Sequence, residues 1–440
     1  MKKYPIRKWL GWAVALALVV RSTTLARVDP LPPPRRVNVP YFTASVRSAE
    51  TAIFWFGRVM STENHVDVRV GYNDEHLYLR MAVFDRRLWY DTSPSPAELM
   101  DWDALALYLN LEGNVGDAPS QSAYCFVAQF TPWGARDDYQ AAYRGDGSGW
   151  IATSVDFTTG STYRGEGGPN ADADNRGWVL SFTIPFESLG LSGPPAQDEL
   201  WGMAIRLHDR DDGEGSPIVD KTWPETMDSR RPATWAQLAF QTPVYTNPPA
   251  IETNTVTIRE GLGDVIVPDA DVGGGSTCGD GLDFWSEWGE TNYGGDGDLN
   301  VQNQSDVADW PCFSRYYVTF PLDDLSPNRV VISATLTLYQ FGNAGGGAWG
   351  EPDPSLIQVF TIGEEWNEDT LTWNNAPLAG ENIASTWVEP LSGYHEPGVP
   401  RKWDVSRAVA EAYADGEPVR LALYSADTAY HSGKYFRSSE

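Results

Sequence analysis

The sequence predicts an all-β protein with two jelly-roll-like β-sandwich domains in tandem and one short helix in the second domain. Three observations support this prediction: short runs of alternating apolar and polar residues, a large number of turn-forming residues (41 Gly and 31 Pro), and few stretches with helical periodicity. The chain has 440 residues, which is long for one domain and comfortable for two.

Residues 1–26 have the features of a secretory signal peptide. Residues 2–8 carry four positive charges, and residues 9–20 form an apolar core that is too short to span a bilayer. Thr-Leu-Ala at 24–26 offers a cleavage site, and an uncleaved N-terminal anchor is the alternative. We therefore expect a protein that is secreted or displayed at the cell surface, with residues 27–38, which are rich in proline, as a stiff tether.

Period-two patterns predict the strands of a first domain at residues 39–240. Residues 66–72 and 77–83 each place apolar side chains on one face, and Asn73-Asp74 between them predicts a hairpin turn. The same alternation predicts further strands at residues 104–111, 178–184 and 201–207.

Residues 241–253 contain three prolines and have the composition of a linker to a second domain at residues 254–440. A helix is expected after Asp404 or Ser406, which can cap it, and before Gly416, which can end it. Short alternating runs predict strands at residues 255–258, 264–267, 316–320, 334–339 and 357–360.

The segment from Trp366 to Pro377 (Trp-Asn-Glu-Asp-Thr-Leu-Thr-Trp-Asn-Asn-Ala-Pro) predicts a short strand that ends in a turn. It resembles the Trp-x-Glu-x-Thr-x-Thr-Trp-x-x-x-Pro signature of DNRLRE domains, the disaggregatase-related modules of carbohydrate-binding family 96. Phe436–Glu440 resembles a late motif of these modules, after which relatives normally carry one more strand. The resemblance therefore implies that the chain is a fragment or that its second sandwich lacks the last strand.

Four segments of the first domain resemble family 9-like carbohydrate-binding modules. They are the hairpin Gly71–Asp85, the strand Asp103–Asn110, the segment Gly177–Leu191 and the closing segment Trp223–Trp235. The resemblance implies a two-sheet jelly roll. Together, the two resemblances imply a protein that binds polysaccharide or another glycan without cleaving it.

Tryptophans in loop-like sequence, together with Trp223 in the closing segment, are the candidate sugar-binding residues, because indole rings stack on the C–H faces of pyranoses. Packing inside the protein is the alternative for each of them, and Trp178, Trp201, Trp366 and Trp373 are assigned to the core. Of the two indoles that family 9 modules use, Trp102 lies near the place of the first, whereas Ser229-Arg230-Arg231 occupies the place of the second. The candidates are Trp102, Trp133, Trp223, Trp285, Trp288 and Trp349.

Acidic turns are candidate calcium sites, because hard cations prefer carboxylate oxygens at alternate loop positions. The resemblance also implies a structural calcium, whereas solvated turns are the plain alternative. The candidate ligands are Asp172, Asp174, Asp209, Asp211, Asp296 and Asp298.

Cys278 and Cys312 lie in loop-like sequence and are the expected disulfide pair, with two unpaired thiols as the alternative. Cys125 lies in an apolar run and is expected to be buried.

The formal charge of −28 predicts a surface that repels nucleic acid, so we expect no nucleic-acid partner. The sequence has no His-Glu-x-x-His motif, no Gly-x-Ser-x-Gly motif and no phosphate-binding loop, and we therefore expect no catalysis within these residues. Two other functions remain open. One is an adhesive or structural module of the cell envelope without sugar affinity, and the other is the N-terminal part of a larger glycan-degrading enzyme.

Overall fold

A computed structural model describes residues 34–132, 136–214 and 218–439. The predicted signal peptide (residues 1–26) and residues 27–33 of the predicted tether lie outside the described residues.

The described residues form strands and one α-helix, which confirms the predicted all-β fold class. The strands of the first sandwich are Arg36–Val39 (β1), Ala52–Met60 (β2), Glu63–Tyr72 (β3), His76–Phe84 (β4), Ala104–Asn110 (β5), Ala123–Gln129 (β6), Gln140–Gly145 (β7), Trp150–Thr153 (β8), Thr158–Gly165 (β9), Asn175–Pro185 (β10), Leu200–His208 (β11), Lys221–Trp223 (β12) and Ala236–Phe240 (β13). The elements of the second are Asp269–Gly273 (β14), Asp298–Val301 (β15), Ser314–Phe320 (β16), Thr335–Asn343 (β17), Ser355–Thr361 (β18), Glu381–Val388 (β19), Val399–Asp404 (β20), Ser406–Asp415 (α1), Val419–Ser425 (β21) and Lys434–Arg437 (β22).

The strands pair into three sheets. One has five strands in the order β2-β3-β4-β10-β9, and another has four in the order β15-β22-β17-β20. The third runs β14-β16-β21-β18-β19-β1-β13-β11-β5-β6-β7-β8, with β12 beside β11, and therefore includes strands of both sandwiches. The predicted hairpin joins β3 to β4, where the Asn73 side chain accepts hydrogen bonds from the backbone N–H groups of Glu75 and His76.

The five-stranded sheet is covered on both faces. Leu79 and Met81 of β4 point into the core of the first sandwich, whereas Ala82 and Phe84 of the same strand pack against the second sandwich. A further core lies between the strands β16, β21 and β18 and the four-stranded sheet. The described residues thus form a stack of four β layers with three apolar cores between the layers, and a smaller fourth cluster lies on the outer face of β5, β6 and β11. We call the middle core, which both sandwiches build, the shared core.

Buried polar groups cross the shared core. Asp67 of β3 is fully buried and accepts hydrogen bonds from the Tyr424 hydroxyl (2.7 Å) and from Asn303 Nδ2 (3.1 Å), both in the second sandwich. The guanidinium carbon of Arg315 lies 3.7 Å from the ring centre of Trp373 and 4.5 Å from that of Trp55. Specific polar contacts therefore fix one sandwich against the other.

The strands β1 and β19 join the two sandwiches within the largest sheet. The Asn38 backbone N–H donates to Asn382 Oδ1 (2.7 Å), and Asn382 Nδ2 donates to the Asn38 carbonyl (2.9 Å). The side-chain amide of Asn382 thus bonds to the backbone of Asn38 as a peptide group of a neighbouring strand would. It extends the hydrogen bonding between β1 and β19, whose backbones pair at a single position.

Three segments that the sequence predicts as strands have another structure. Residues 255–258 and 264–267 contain no strand. In the segment 366–377, Glu368–Thr370 form a 3-10 turn that the Asn367 side chain caps by accepting from the Asp369 N–H (2.9 Å). Local hydrogen bonds of Asn side chains thus replace the expected strand pairing there.

The expected helix is present and ends at the expected Gly416, whereas its N-cap is Val405, which lies between the two predicted capping residues and makes no side-chain capping hydrogen bond. Asp404 Oδ1 accepts from the backbone N–H of Ser406 at the start of α1 (2.9 Å), and Gly416 ends α1 in the left-handed region with φ 73°.

Candidate functional site

A cavity of about 240 Å³ opens beside an exposed indole of the second sandwich. We call it the Trp387 cleft, after the β19 residue whose exposed fraction is 43%. Asp353 and Pro354 precede β18, residues 427–432 form the loop between β21 and β22, and Ala49 comes from the first sandwich. The lining residues are Ala49, Asp353, Pro354, Trp387, Asp427, Thr428, Ala429 and Ser432.

Only one of the two oxygens of the Asp427 carboxylate has hydrogen-bond partners among the described residues. Its Oδ2 accepts hydrogen bonds from the hydroxyls of Ser355 (2.8 Å) and Ser425 (3.0 Å). Its Oδ1 is buried and has no hydrogen-bond partner among the described residues. Burial raises the pKa of Asp427 above its ordinary value, and the nearby Lys434 acts against this rise. A buried acceptor without a donor costs free energy.

Aromatic side chains also flank the loop that lines the cleft. Trp349, with an exposed fraction of 61%, has its ring centre 4.5 Å from that of His431 and 6.2 Å from that of Tyr430. Gly346 and Gly350, both with positive φ, bracket the short turn that presents Trp349, a conformation that a residue with a Cβ rarely adopts. The loop 427–432 therefore lies between two exposed indole-bearing segments.

A second cavity, of about 260 Å³, lies between β17 and β20. Its tryptophan, Trp403, is buried, and its indole N–H donates to the Ile357 carbonyl. This cavity therefore offers no open ring face to a sugar.

The structure corrects three of the six tryptophan candidates. Trp223 packs on Phe54 with ring centres 4.1 Å apart, and Trp285 and Trp288 lie in the shared core. None of these three rings has a face open to a ligand, because tertiary contacts cover sequence that looks like loop. Trp102 is partly buried, and the guanidinium of Arg210 lies 4.4 Å from its ring centre.

The remaining two tryptophan candidates are Trp349, which the structure describes, and Trp133, which it does not. Trp349 is exposed next to the loop 427–432. Trp133 lies outside the described residues. The sequence does not distinguish Trp387 as a ligand residue, because a tryptophan in a strand-like run is indistinguishable from a core residue. The available signal was the polar sequence around it, Ser385-Thr386 before it and Glu389-Pro390 shortly after it.

Three buried carboxylates meet at one end of the first sandwich. Asp103 precedes β5 and Asp209 follows β11, which is paired with β5, while Asp85 follows β4 in the opposite sheet. Each offers an oxygen, and these oxygens lie within 4.8 Å of one another. We call Asp85, Asp103 and Asp209 the aspartate triad. Of the three, only Asp209 lies in an acidic turn that predicts a metal ligand, whereas Asp85 ends the segment Gly71–Asp85 and Asp103 begins the strand segment Asp103–Asn110.

Hydrogen-bond donors reach the carboxylates of Asp85 and Asp103, and such donors favour the ionised form of a carboxyl group. Trp178 Nε1 donates to Asp85 Oδ2 (2.9 Å), and the backbone N–H groups of Trp89 (2.7 Å) and Arg210 (3.0 Å) donate to Asp103. Asp209 Oδ1 is buried without a hydrogen-bond partner in the described part of the chain.

The pKa values of the triad are raised. Burial, followed by repulsion from Asp211, raises the pKa of Asp209 to about 7. Burial together with mutual repulsion raises the pKa of Asp85 and Asp103 well above the ordinary value. Such a cluster either keeps protons or binds a hard cation, which prefers several carboxylate oxygens.

The other predicted metal ligands are not brought together in this way. Asp172 and Asp174 form ion pairs with Arg87 (3.2 and 2.8 Å), and Asp298 forms one with Arg437. Asp211 is partly buried near the triad, and Asp296 is exposed. An arginine partner supplies the positive charge that a cation would otherwise bring, so Asp172, Asp174 and Asp298 have no need of a metal.

Cys278 and Cys312 are joined by a disulfide, and Cys125 is a buried free thiol. Cys312 Sγ lies 3.7 Å from His431 Nδ1, on the loop that lines the Trp387 cleft. The disulfide therefore fixes the position of Cys312, which contacts His431 of the loop 427–432.

Comparison with known proteins gives one family match. Residues 286–440 match the model of carbohydrate-binding module family 96. Among solved structures, the chain is similar to a carbohydrate-binding module of family 9 from Caldicellulosiruptor kristjanssonii in complex with cellotriose (13% identity, TM-score 0.33) and with glucose (12% identity, TM-score 0.33). Each similarity covers 49% of this chain and 100% of that module. No sequence among curated proteins matches this chain.

Proposed function

We propose that this protein, whose residues 286–440 match the model of carbohydrate-binding module family 96, binds polysaccharide without cleaving it and does so at the Trp387 cleft. One observation carries the choice of site: an exposed indole stands beside the exposed side chains of Asp353 and Thr428, which carry a carboxylate and a hydroxyl. An indole stacks on the apolar face of a pyranose while oxygens next to it accept hydrogen bonds from its hydroxyls. Trp349 and Tyr430 extend this aromatic surface along the same loop.

The proposed location is outside the cytoplasm, secreted or at the cell surface. The signal-like sequence of residues 1–26 and the disulfide support it, because disulfides persist in oxidising compartments. Within the described residues, every helix is too short or too polar to cross a membrane.

The proposed cofactor is a structural calcium ion held by the aspartate triad. The buried, unpartnered Asp209 Oδ1 and the three converging carboxylates support this proposal. Calcium would take the place of the protons that burial otherwise keeps on these carboxyl groups, and it would tie the two sheets of the first sandwich together at that end.

Replacing Trp387 with alanine tests the proposed site. We expect retention of the full chain on insoluble polysaccharides to weaken at least tenfold, because the stacking surface is lost while the fold, in which this ring is half exposed, is kept. Tyr339→Ala is the matched control, since Tyr339 is an aromatic residue on β17 with an exposed fraction of 47% that does not line the cleft. Equal retention of Trp387→Ala and the unmodified protein would refute the site.

A further inference from the structure

Four side chains that can bind a metal meet where the disulfide contacts the loop 427–432. The disulfide joins Cys278 to Cys312, and Cys312 Sγ lies 3.7 Å from His431 Nδ1. The same imidazole nitrogen lies 3.3 Å from Asp309 Oδ1. The ligand atoms of Cys278, Cys312 and His431 all lie within 4.8 Å of one another. We call Cys278, Cys312, His431 and Asp309 the thiol cluster.

Two donors orient Asp309 toward the thiol cluster. Its Oδ2 accepts hydrogen bonds from Gln302 Nε2 (2.7 Å) and from the backbone N–H of His431 (3.0 Å). Its Oδ1 faces His431 Nδ1. Asp309 and Cys312 are both buried, and the ring centre of His431 lies 4.5 Å from that of Trp349. The fold therefore holds three of the four side chains in place, in a position shielded from water.

Zinc is the cation that this set of ligands favours. Thiolate, imidazole and carboxylate groups are its usual ligands, whereas calcium takes oxygen ligands. Zinc bonds of about 2.0–2.3 Å in a tetrahedron place the ligand atoms about 3.3–3.8 Å apart. The distances from Cys312 to His431 (3.7 Å) and from His431 to Asp309 (3.3 Å) both fall in this range. The folded chain thus already has the spacing of two edges of a zinc tetrahedron.

Cys278 is the ligand that has to move. A disulfide holds its sulfurs closer together than the roughly 3.8 Å between two thiolates on one zinc ion, so the disulfide and the ion exclude each other. Cys278 is half-buried, and Thr277 and Asp280 beside it are exposed. Once the disulfide is open, the Cys278 side chain can therefore rotate away from Cys312 without entering a core.

We propose that the reduced chain binds one zinc ion at the thiol cluster, and that this ion and the Cys278–Cys312 disulfide are alternative links between the same two segments. An external dithiol opens the disulfide by transferring two electrons and two protons to the sulfurs, and it becomes a disulfide itself. Zinc then displaces both thiol protons, which pass to the solvent. In the reverse direction, a disulfide oxidant removes two electrons from the two thiolates, the Cys278–Cys312 bond forms again and zinc is released.

The two links differ in what they do to the loop 427–432. In the disulfide form, His431 only contacts Cys312. In the zinc form, His431 is bonded through the ion to both cysteines, so the loop is fastened directly to the segments that carry them. The inference does not depend on sugar binding.

Cobalt titration of the full chain tests the site, because Co²⁺ takes the place of Zn²⁺ and absorbs visible light. The chain is first reduced with a phosphine, which becomes a phosphine oxide with oxygen from water, and both are then removed anaerobically. We expect the reduced chain to bind one Co²⁺ with thiolate-to-cobalt charge-transfer absorption, which one equivalent of Zn²⁺ should abolish. The disulfide-bonded chain is the matched control, since it keeps the Cys125 thiol and the aspartate triad and should show no such absorption.

Two variants test whether the other two groups are ligands. In the reduced chain, His431→Ala and Asp309→Ala should each weaken zinc binding at least tenfold, measured by competition with a chromophoric chelator. His395→Ala, which removes an exposed histidine outside the thiol cluster, should leave the affinity unchanged. Zinc should also protect Cys278 and Cys312 from alkylation, which mass spectrometry of peptides measures.

Three results would overturn the proposal. The first is a reduced chain without thiolate-to-cobalt absorption, and the second is equal zinc affinity in the unmodified chain and in His431→Ala. The third is a reduced chain that unfolds, as judged by near-ultraviolet circular dichroism, and that zinc does not refold. None of these measurements uses a polysaccharide, so their failure is distinct from failure of the proposed function.

Discussion

Replacing Asp67 with alanine is expected to lower the free energy of unfolding by about 3–5 kcal/mol. Asp67 lies in the shared core, where it accepts hydrogen bonds from Asn303 and Tyr424 and where His65 Nε2 lies 3.1 Å from Oδ1. Without the carboxylate, these groups lose their partner while still buried. Arg69 and Arg315 also lose the nearest negative charge that compensates their own burial.

Urea unfolding of the full chain, followed by tryptophan fluorescence, measures this loss. Asp172→Ala removes a carboxylate that is 89% exposed and pairs with Arg87 at the surface, so it should change stability by less than about 1 kcal/mol. Because the shared core belongs to both sandwiches, we also expect them to unfold in one transition. Two separate transitions, or equal costs for the two variants, would contradict this account.

Removing calcium is expected to lower Tm by about 5 °C or more at pH 8 and by much less at pH 5. The pKa of Asp209 is raised to about 7, above its value in the unfolded chain. Without metal, the folded state therefore binds more protons than the unfolded state between about pH 4 and pH 7. Stability contributed by the protonated triad is present at low pH and is lost as pH rises through that interval. Calcium binds the deprotonated carboxylates, so its contribution grows over the same interval.

Thermal unfolding in EDTA and in millimolar calcium chloride, at pH 5 and pH 8, measures this effect. Asp209→Asn should remove most of the calcium increment, whereas Asp298→Asn, which alters a carboxylate paired with Arg437, should leave it intact. A Tm at pH 8 that does not respond to calcium would refute the triad as a calcium site.

Much of the fold could be predicted, because the alternation of apolar and polar residues indicates which side chains lie on the same face of a strand. The alternation places Val66, Val68 and Val70 on one face of a strand, and all three lie in the core of the first sandwich. The alternate residues of the same strand include Asp67 and Arg69, which the pattern assigns to the opposite face. Nothing local shows that another sandwich covers that face and buries both side chains completely.

The sites were harder to predict for the same reason. Trp288 and Trp349 both lie in loop-like, glycine-containing sequence, yet the first is buried in the shared core and the second is exposed. Asp103 and Asp209 are 106 positions apart and meet only because β5 and β11 are neighbours. Tertiary packing determines which tryptophans are buried and which aspartates meet, and residue spacing along the chain does not predict either.

The layered arrangement limits how this protein could be divided or recombined. The family match begins at residue 286, after β14 and after Cys278, so a piece cut there would lose an edge strand and one half of the disulfide. It would also leave Tyr317, Phe360 and Tyr424 facing water where β2 and β4 normally lie. We expect a fusion protein that contains either sandwich alone to aggregate, because its apolar face is exposed. Residues 34–440 form one compact unit, and a fusion that contains all of them should fold.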